Sequence, residues 1–522
     1  MTRLSIRPER AVVIGAGVGG LAAALLLAAR GLDVTVLERA AAPGGKLREL
    51  VVGGRAVDAG PTVFTMPWVF EEIFAAAGAR LADHLTLRPA ATLARHAWPD
   101  GARLDLFTDI ERSAAAIAAL AGDANADGYR AFCARAREMY LTLRDSFLCA
   151  EQPSQAGLVK RAGLAGLAAF LRTPPFSTLW SALGSHFSDP RLHQLFGRYA
   201  TYVGSSPFAT PATMMLIAHV EQEGVWLVEG GMHRIARAMA DVVEANGGRI
   251  RCNAEVAAIE LEAGRTAGVR LADGTRLGAD AVVANCDCAA VAAGLFGHAA
   301  AHAVEPTPPN ERSLSAMTWV MAAEVKGFPL LRHSVFFSAD YAAEFRQLFH
   351  DRQLPHQPTI YVCAQDRGDS DAPAPEAAER LLVLVNAPAI GDTGPLPPAE
   401  MLRCEETTFA ALQRMGLSLN PLPGASIRTT PHEWEKLFPA TGGALYGRAT
   451  HGMTASFRRP GNRSLLPGLY LAGGSVHPGA GVPTATLSGR IAAESLLADL
   501  SSDRASMSRS RLVAMPGGTS MR

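Results

Sequence analysis

The stretch Ala11-Val-Val-Ile-Gly15-Ala-Gly17-Val-Gly-Gly20, with Glu38 eighteen residues beyond it, decides the fold. An apolar run of strand formers enters Gly-x-Gly-x-x-Gly, and the alanine- and leucine-rich segment Leu21 to Arg30 predicts a helix. Asp33-Val-Thr-Val-Leu37 predicts a second strand that ends at an acid. Each part has a physical task. Gly15 permits a tight turn, Gly17 lets backbone approach a pyrophosphate, and Gly20 lets helix and strand pack closely. The helix N-terminus presents unpaired N–H groups and a positive dipole end to phosphates. Glu38 is spaced to accept hydrogen bonds from a ribose. An ordinary βαβ turn needs neither three glycines nor an acid at that distance, so the stretch predicts a dinucleotide site.

The residues just beyond Glu38 favour a flavin dinucleotide over a nicotinamide one. Glu38-Arg39 leads to Pro43-Gly-Gly45-Lys46 and then to Val57-Asp58-Ala-Gly60-Pro61-Thr62. FAD lies extended through its protein and needs a second place where backbone and a cation meet its pyrophosphate or flavin end. Alone, Gly44-Gly45-Lys46 reads as a surface turn; behind the ribose acid it reads as part of a site. At the far end of the chain, Gly468-Leu-Tyr-Leu-Ala-Gly-Gly474 is a short strand entering glycines. Ser475-Val-His477-Pro-Gly479-Ala-Gly481-Val-Pro483 is a glycine-rich loop, and Thr484 to Leu500 predicts an amphipathic helix. That unit would bring another helix N-terminus to the flavin, whose reduced form is anionic.

Composition narrows the class. The chain has 522 residues, is 48% hydrophobic and carries zero formal charge, enough for a large core and two domains. A neutral chain argues against a nucleic-acid partner, which needs a basic face. Cys133, Cys149, Cys252, Cys286, Cys288, Cys363 and Cys404 form no CxxC pair, and Cys286-Asp-Cys288 reads as a strand-end detail; no metal site is expected. Scattered cysteines and the lack of a secretory apolar segment at Met1-Thr-Arg-Leu-Ser predict a cytoplasmic location. No stretch reaches the ~18 uncharged apolar residues of a membrane-spanning helix.

With Trp226-Leu-Val-Glu-Gly-Gly231 and Leu471-Ala-Gly-Gly-Ser-Val-His-Pro-Gly-Ala-Gly-Val-Pro483, these motifs resemble bacterial carotenoid desaturases of the phytoene-desaturase type, within the flavin amine oxidase-like group. The resemblance spans residues 10 to 500. Gln194 to Pro207 and Ala472 to His477 look most like the 1-hydroxycarotenoid 3,4-desaturase branch. It implies an α/β fold: a Rossmann-type FAD-binding domain with a substrate-binding α+β domain. The expected division is FAD domain at 10–75, 226–300 and 441–500, a helical substrate- and membrane-facing region at 76–225, a mixed-sheet substrate domain at 301–440, and a disordered tail at 501–522. The implied cofactor residues are Gly15, Gly17, Gly20, Glu38, Arg39, Gly45, Lys46, Val256, Gly474 and Val482, with Val256 reaching the adenine through its backbone. Within 226–300, His233 to Asn246 predicts a helix, Arg249 to Cys252 and Val256 to Leu261 strands, and Asp273-Gly274 a hairpin turn.

The implied reaction is FAD-dependent introduction of a C3–C4 double bond into a 1-hydroxylated acyclic C40 carotenoid, with oxygen or a quinone reoxidising the flavin. His477 is the first candidate acid–base residue, set against the reading that it merely hydrogen-bonds backbone. Arg198 and Tyr202 (with Tyr199 and Thr201) and His233 are candidate substrate residues. Phytoene desaturation, amine oxidation and non-catalytic isoprenoid-lipid binding by the same fold are the competing readings. A C40 polyene must be drawn from a bilayer, and between Glu151 and Asp189 there is no acid, while Lys160, Arg161 and Arg172 stand among apolar and aromatic residues. This predicts peripheral association with the inner, photosynthetic membrane, against the reading of an ordinary helical cap.

Overall fold

The computed structural model of the chain describes residues 9–154, 156–158, 160, 161, 163, 177–370, 375 and 377–513, without the side chains of 504–513. Its first layer is a parallel sheet drawn from three distant stretches. The order is Leu469–Leu471, Ala281–Ala284, Arg10–Ile14, Asp33–Leu37 and Arg249–Arg251. Strands covered on both faces read as continuous apolar runs, and Ala11 to Ile14 and Ala281 to Ala284 are all buried. The helix Val18–Ala29 is buried almost throughout because it lies between this sheet and two further helices, His233–Ala245 and Val482–Val513.

Gly489 makes that last contact possible. A Cβ there would lie 2.0 Å from the Gly19 carbonyl oxygen, so the two helices touch backbone to backbone.

A seven-stranded mixed sheet forms the second layer, in the order Leu417–Thr429, Ser315–Gly327, Glu379–Ala387, Ile360–Ala364, His333–Phe336, Thr92–Ala97 and Arg103–Phe107. Alternation along Glu379–Ala387 sends Leu381, Val383 and Val385 into one core, while Leu382 and Leu384 face the cavity between the layers. An antiparallel three-stranded sheet, Val256–Glu262, Arg265–Leu271 and Arg276–Gly278, flanks the first layer, with Asp273-Gly274 at its second turn.

Three expectations change. The strands Thr92–Ala97 and Arg103–Phe107 fall inside the stretch expected to be helical, because their partner His333–Phe336 lies more than two hundred residues away. The last helix starts at Val482 and continues to Val513, so 501–513 is helical instead of disordered. Ser501 and Ser502 donate to the Leu497 and Ala498 carbonyls one turn back. Residues 514–522 of the expected tail lie outside the described residues. So does much of the basic amphipathic stretch: 155, 159, 162 and 164–176, Arg172 included. Of the rest, Lys160 and Arg161 are exposed and Leu158 is buried. No described helix is long and apolar enough to cross a membrane.

Candidate active site

The first turn after Arg10–Ile14 is built against Asn285. Gly15 sits at φ +93°, and a Cβ there would come within 2.8 Å of the Asn285 carbonyl oxygen. A Cβ on Gly17 would meet Asn285 Oδ1 at 2.8 Å, while Asn285 Nδ2 donates to the Ala472 carbonyl at 3.0 Å. One side chain therefore ties the first, middle and last pieces of the sheet. Its place at the end of an apolar strand is the only signal the sequence offers. Gly15, Gly17 and Gly19 line a cavity of about 600 Å³. The helix Val18–Ala29 has no side-chain N-cap, so its first N–H groups remain for an anion. Gly20 is absent from the cavity wall; its Cβ would lie 2.2 Å from Gly15 O, the close helix–strand packing expected of it.

Glu38 stands at one end of this cradle. Its two oxygens accept from the Ala16 and Ala40 amides, each at 2.8 Å, and their remaining lone pairs can take ribose hydroxyls. Gly45, Lys46, Val256, Gly474 and Val482 line the same cavity. Lys46 Nζ donates to Leu445 O at 2.6 Å and lies 5.1 Å from the centroid of Phe438. Burial lowers its pKa, and the negative charge of Asp287 opposes that shift. Arg39 lines the cavity too, with its guanidinium spent on the Lys436 and Leu437 carbonyls across the mouth. Arg459, 4% exposed, belongs to none of the sequence motifs. It donates to the carbonyls of Tyr446, Arg448 and Gly474 at 2.9–3.0 Å and so fixes the glycine loop. A cradle that a Cβ would fill, free helix N–H groups, a carboxylate and a cation together fit FAD.

Beyond the cradle the cavity opens between the two layers. Leu216, Ile217, Val220, Leu382 and Leu384 make its apolar wall. A polar cluster interrupts that wall. Arg198 lies directly after the helix Pro190–Gly197, and its guanidinium carbon is 5.4 Å from the Tyr202 ring and 5.5 Å from the Tyr361 ring. Tyr202 and Tyr199 both donate to the Glu221 carboxylate, the latter at 2.8 Å. Burial raises the pKa of Glu221, while hydrogen bonding from Tyr202 and the charge of Arg198 hold it down. Arg198, Tyr202 and Glu221 all face the cavity.

Residues 18–497 match the family of flavin-containing amine oxidoreductases. The chain belongs to that family. It is an oxidoreductase whose cofactor is FAD. It is 52% identical to the hydroxyneurosporene desaturase of Rubrivivax gelatinosus, over 99% of this chain and 98% of that one. The hydroxyneurosporene desaturase of Cereibacter sphaeroides is 44% identical over 94% of this chain and 98% of its own. A 1-hydroxycarotenoid 3,4-desaturase from a Flavobacterium species is 32% identical, over 93% and 98%. Among solved structures, an oxidoreductase from Methanosarcina mazei superposes with a TM-score of 0.57 at 19% identity, covering 92% of this chain and 99% of that one. Putrescine oxidase bound to putrescine gives 0.55 at 15%, over 94% and 99%. At those identities the likeness is one of fold.

Two histidines in this flavin oxidoreductase need correction. His477 is fully buried away from the cavity wall, with Nε2 3.0 Å from Phe147 O and 2.9 Å from Ala150 O. Burial lowers its pKa to about 4. It pins the chain around Phe147 to the glycine loop, which is the backbone-bonding alternative and leaves it no reach to a substrate. His233 is also off the wall. Its Nδ1 bonds to Leu47 O at 2.7 Å, and its amide donates to Asp58 Oδ1 at 3.2 Å. Asp58 takes the Met232 amide as well, at 2.7 Å, so the Asp58-Ala-Gly-Pro and Gly230-Gly231 motifs are one joint beneath the cofactor cradle. Both histidines face inward because a ring nitrogen of each is held by backbone carbonyls of a distant chain segment.

Proposed function

We propose that this chain is a carotenoid desaturase that introduces the C3–C4 double bond into 1-hydroxylated acyclic carotenoids of the hydroxyneurosporene or hydroxylycopene type. The observation that carries it is a dinucleotide cradle opening into a leucine-walled cavity with a buried polar cluster, in a chain 52% identical to a hydroxyneurosporene desaturase. FAD supplies the hydride acceptor when bound. The protein does the rest. Leu216, Ile217, Val220, Leu382 and Leu384 receive the apolar end of the polyene and exclude water. A C–H proton must also leave the neighbouring carbon. Tyr202 and Glu221 both face the cavity, and the Tyr202 hydroxyl bonds to Glu221 Oε1, so the proton has a path through that hydroxyl to the carboxylate. Burial of Glu221 raises its proton affinity and suits it to hold that proton. Oxygen or a quinone accepts the electrons afterwards, and the polyene enters from a membrane surface.

The test supplies phytoene and 1-hydroxyneurosporene separately to membranes containing the protein and tracks the red shift of polyene absorbance. Conversion of the hydroxylated carotenoid, with phytoene much slower, is expected. Efficient conversion of phytoene alone would replace this reading with phytoene desaturation. Purified protein lacking flavin absorbance after reconstitution would leave only isoprenoid-lipid binding.

A further inference from the structure

Three cations stand on the cavity wall among the described residues, and two of them are spent. Arg39 donates to the Lys436 and Leu437 carbonyls, and Lys46 to the Leu445 carbonyl. Arg198 is different. It is half-buried, and its one hydrogen bond among the described residues runs from Nη1 to Tyr202 Oη at 3.5 Å. Nε and Nη2 have no such partner, and neither is sealed from the cavity. The rings of Tyr202 and Tyr361, 5.4 and 5.5 Å from the guanidinium carbon, hold the group by cation–π attraction, which consumes no N–H. Burial works against its charge, but Tyr202 and Glu221 outweigh burial and raise its pKa above the ordinary guanidinium value. A charged group with unused donors on a wall of leucines is costly unless something that enters the cavity pairs with it.

The neighbouring hydroxyls are already engaged. Tyr199 and Tyr202 donate to Glu221, and Thr201 Oγ1 donates to the Arg198 carbonyl at 2.8 Å. Tyr361 Oη is bonded to Thr62 Oγ1 and His333 Nδ1, each at 2.6 Å. We infer that Arg198 binds the terminal hydroxyl oxygen of the substrate and so sets how far the polyene enters, an inference that rests on the desaturase reading above. A guanidinium only donates, and an alcohol oxygen accepts. Glu221 already balances the charge, so a neutral oxygen fits here better than an anion. In a 1-hydroxylated carotenoid, C3 and C4 follow that oxygen by three and four bonds. Anchoring the oxygen on the guanidinium therefore brings those carbons beside Tyr202 Oη, where the proton path to Glu221 begins. A hydrocarbon end leaves the guanidinium without a partner, and that is how a site rejects an analogue lacking the group.

The test uses the full-length, FAD-loaded protein in liposomes, with 1-hydroxyneurosporene as substrate and neurosporene as a competing hydrocarbon. Arg198→Met removes charge and donors at similar length. Arg198→Lys keeps the charge that faces Glu221 but not the planar set of donors. In Arg198→Met, KM for the hydroxylated carotenoid is expected to rise roughly 10- to 150-fold, as for loss of a hydrogen bond to a charged group, while the Ki of neurosporene stays the same or falls. Arg198→Lys should raise KM by less, again with Ki unmoved. Equal rises in KM and Ki, or a fall in kcat with KM unchanged, overturn the assignment, because those are the marks of a lost scaffold or a disturbed Glu221. Should Arg198→Met fail to retain FAD, Arg198→Lys decides alone, and a parental KM in it overturns the assignment. A parent protein that turns over no hydroxylated carotenoid overturns the desaturase reading itself, before any variant is compared.

Discussion

At the scale of single residues, Glu38 combines two duties on one carboxylate: it holds the Ala16 and Ala40 amides and faces the cofactor cavity. Glu38→Ala removes a charged acceptor worth ~1.5–3 kcal/mol, so FAD affinity should fall roughly 10- to 150-fold by titration. Unchanged affinity would remove Glu38 from the site. His477 leads to the opposite expectation. Its pKa is depressed to about 4 in the fold, so its contribution to stability is present above the ordinary histidine value and lost as pH falls from about 6.5 toward 4. The shift corresponds to ~3 kcal/mol. His477→Gln should flatten the parent's loss of thermal stability across that window, while turnover per bound FAD at pH 7.5 stays the same. A large loss of turnover with FAD still bound would restore His477 to the chemistry.

Among elements, the contact between the helices Val18–Ala29 and Val482–Val513 bears most on the cofactor, because both helix N-termini line its cavity. Gly489 lets them touch, with a Cβ there only 2.0 Å from Gly19 O. Overpacking of this kind costs ~1–3 kcal/mol, and since the obstacle is backbone the upper end applies. Gly489→Val should lower the unfolding midpoint and the FAD content together; a variant with parental stability would show that the helices can separate without cost. The elements also show where local patterns stop being informative. Arg10–Ile14 and Ala281–Ala284 are legible because strands buried on both faces are apolar throughout. Arg249–Arg251 is three residues long with a charge at each end, and nothing in it distinguishes a hairpin neighbour from the distant strand Asp33–Leu37. The helix past Leu500 escapes a reading by composition because it continues one unbroken run from Val482, a continuity that composition does not record.

For the whole molecule, the cavity lies between layers assembled from the beginning, middle and end of the chain, and the proposed entry of the polyene from a bilayer is tested at the basic stretch. Neutralising Lys160, Arg161 and Arg172 should weaken binding to anionic liposomes by about 1 kcal/mol per charge, with FAD content unchanged. Equal flotation of the triple variant and the parent would make that stretch a structural cap. The sequence by itself determined the dinucleotide fold and brought forward Gly15, Gly17 and Glu38 as candidates for its cradle, because a phosphate cradle needs glycines, a helix start and an acid at set spacings along one continuous segment. It could not say which polar residues would pair with one another. Arg198, Tyr202 and Glu221 close on one another from two separate elements, while Thr318 Oγ1 and Tyr341 Oη have no hydrogen-bond partner among the described residues. Whether a buried hydroxyl has a partner depends on what tertiary packing places beside it. For the same reason only the tertiary structure could take His477 out of the cavity and place Asn285 behind the glycines, since each owes its position to a backbone contact made far away in the chain.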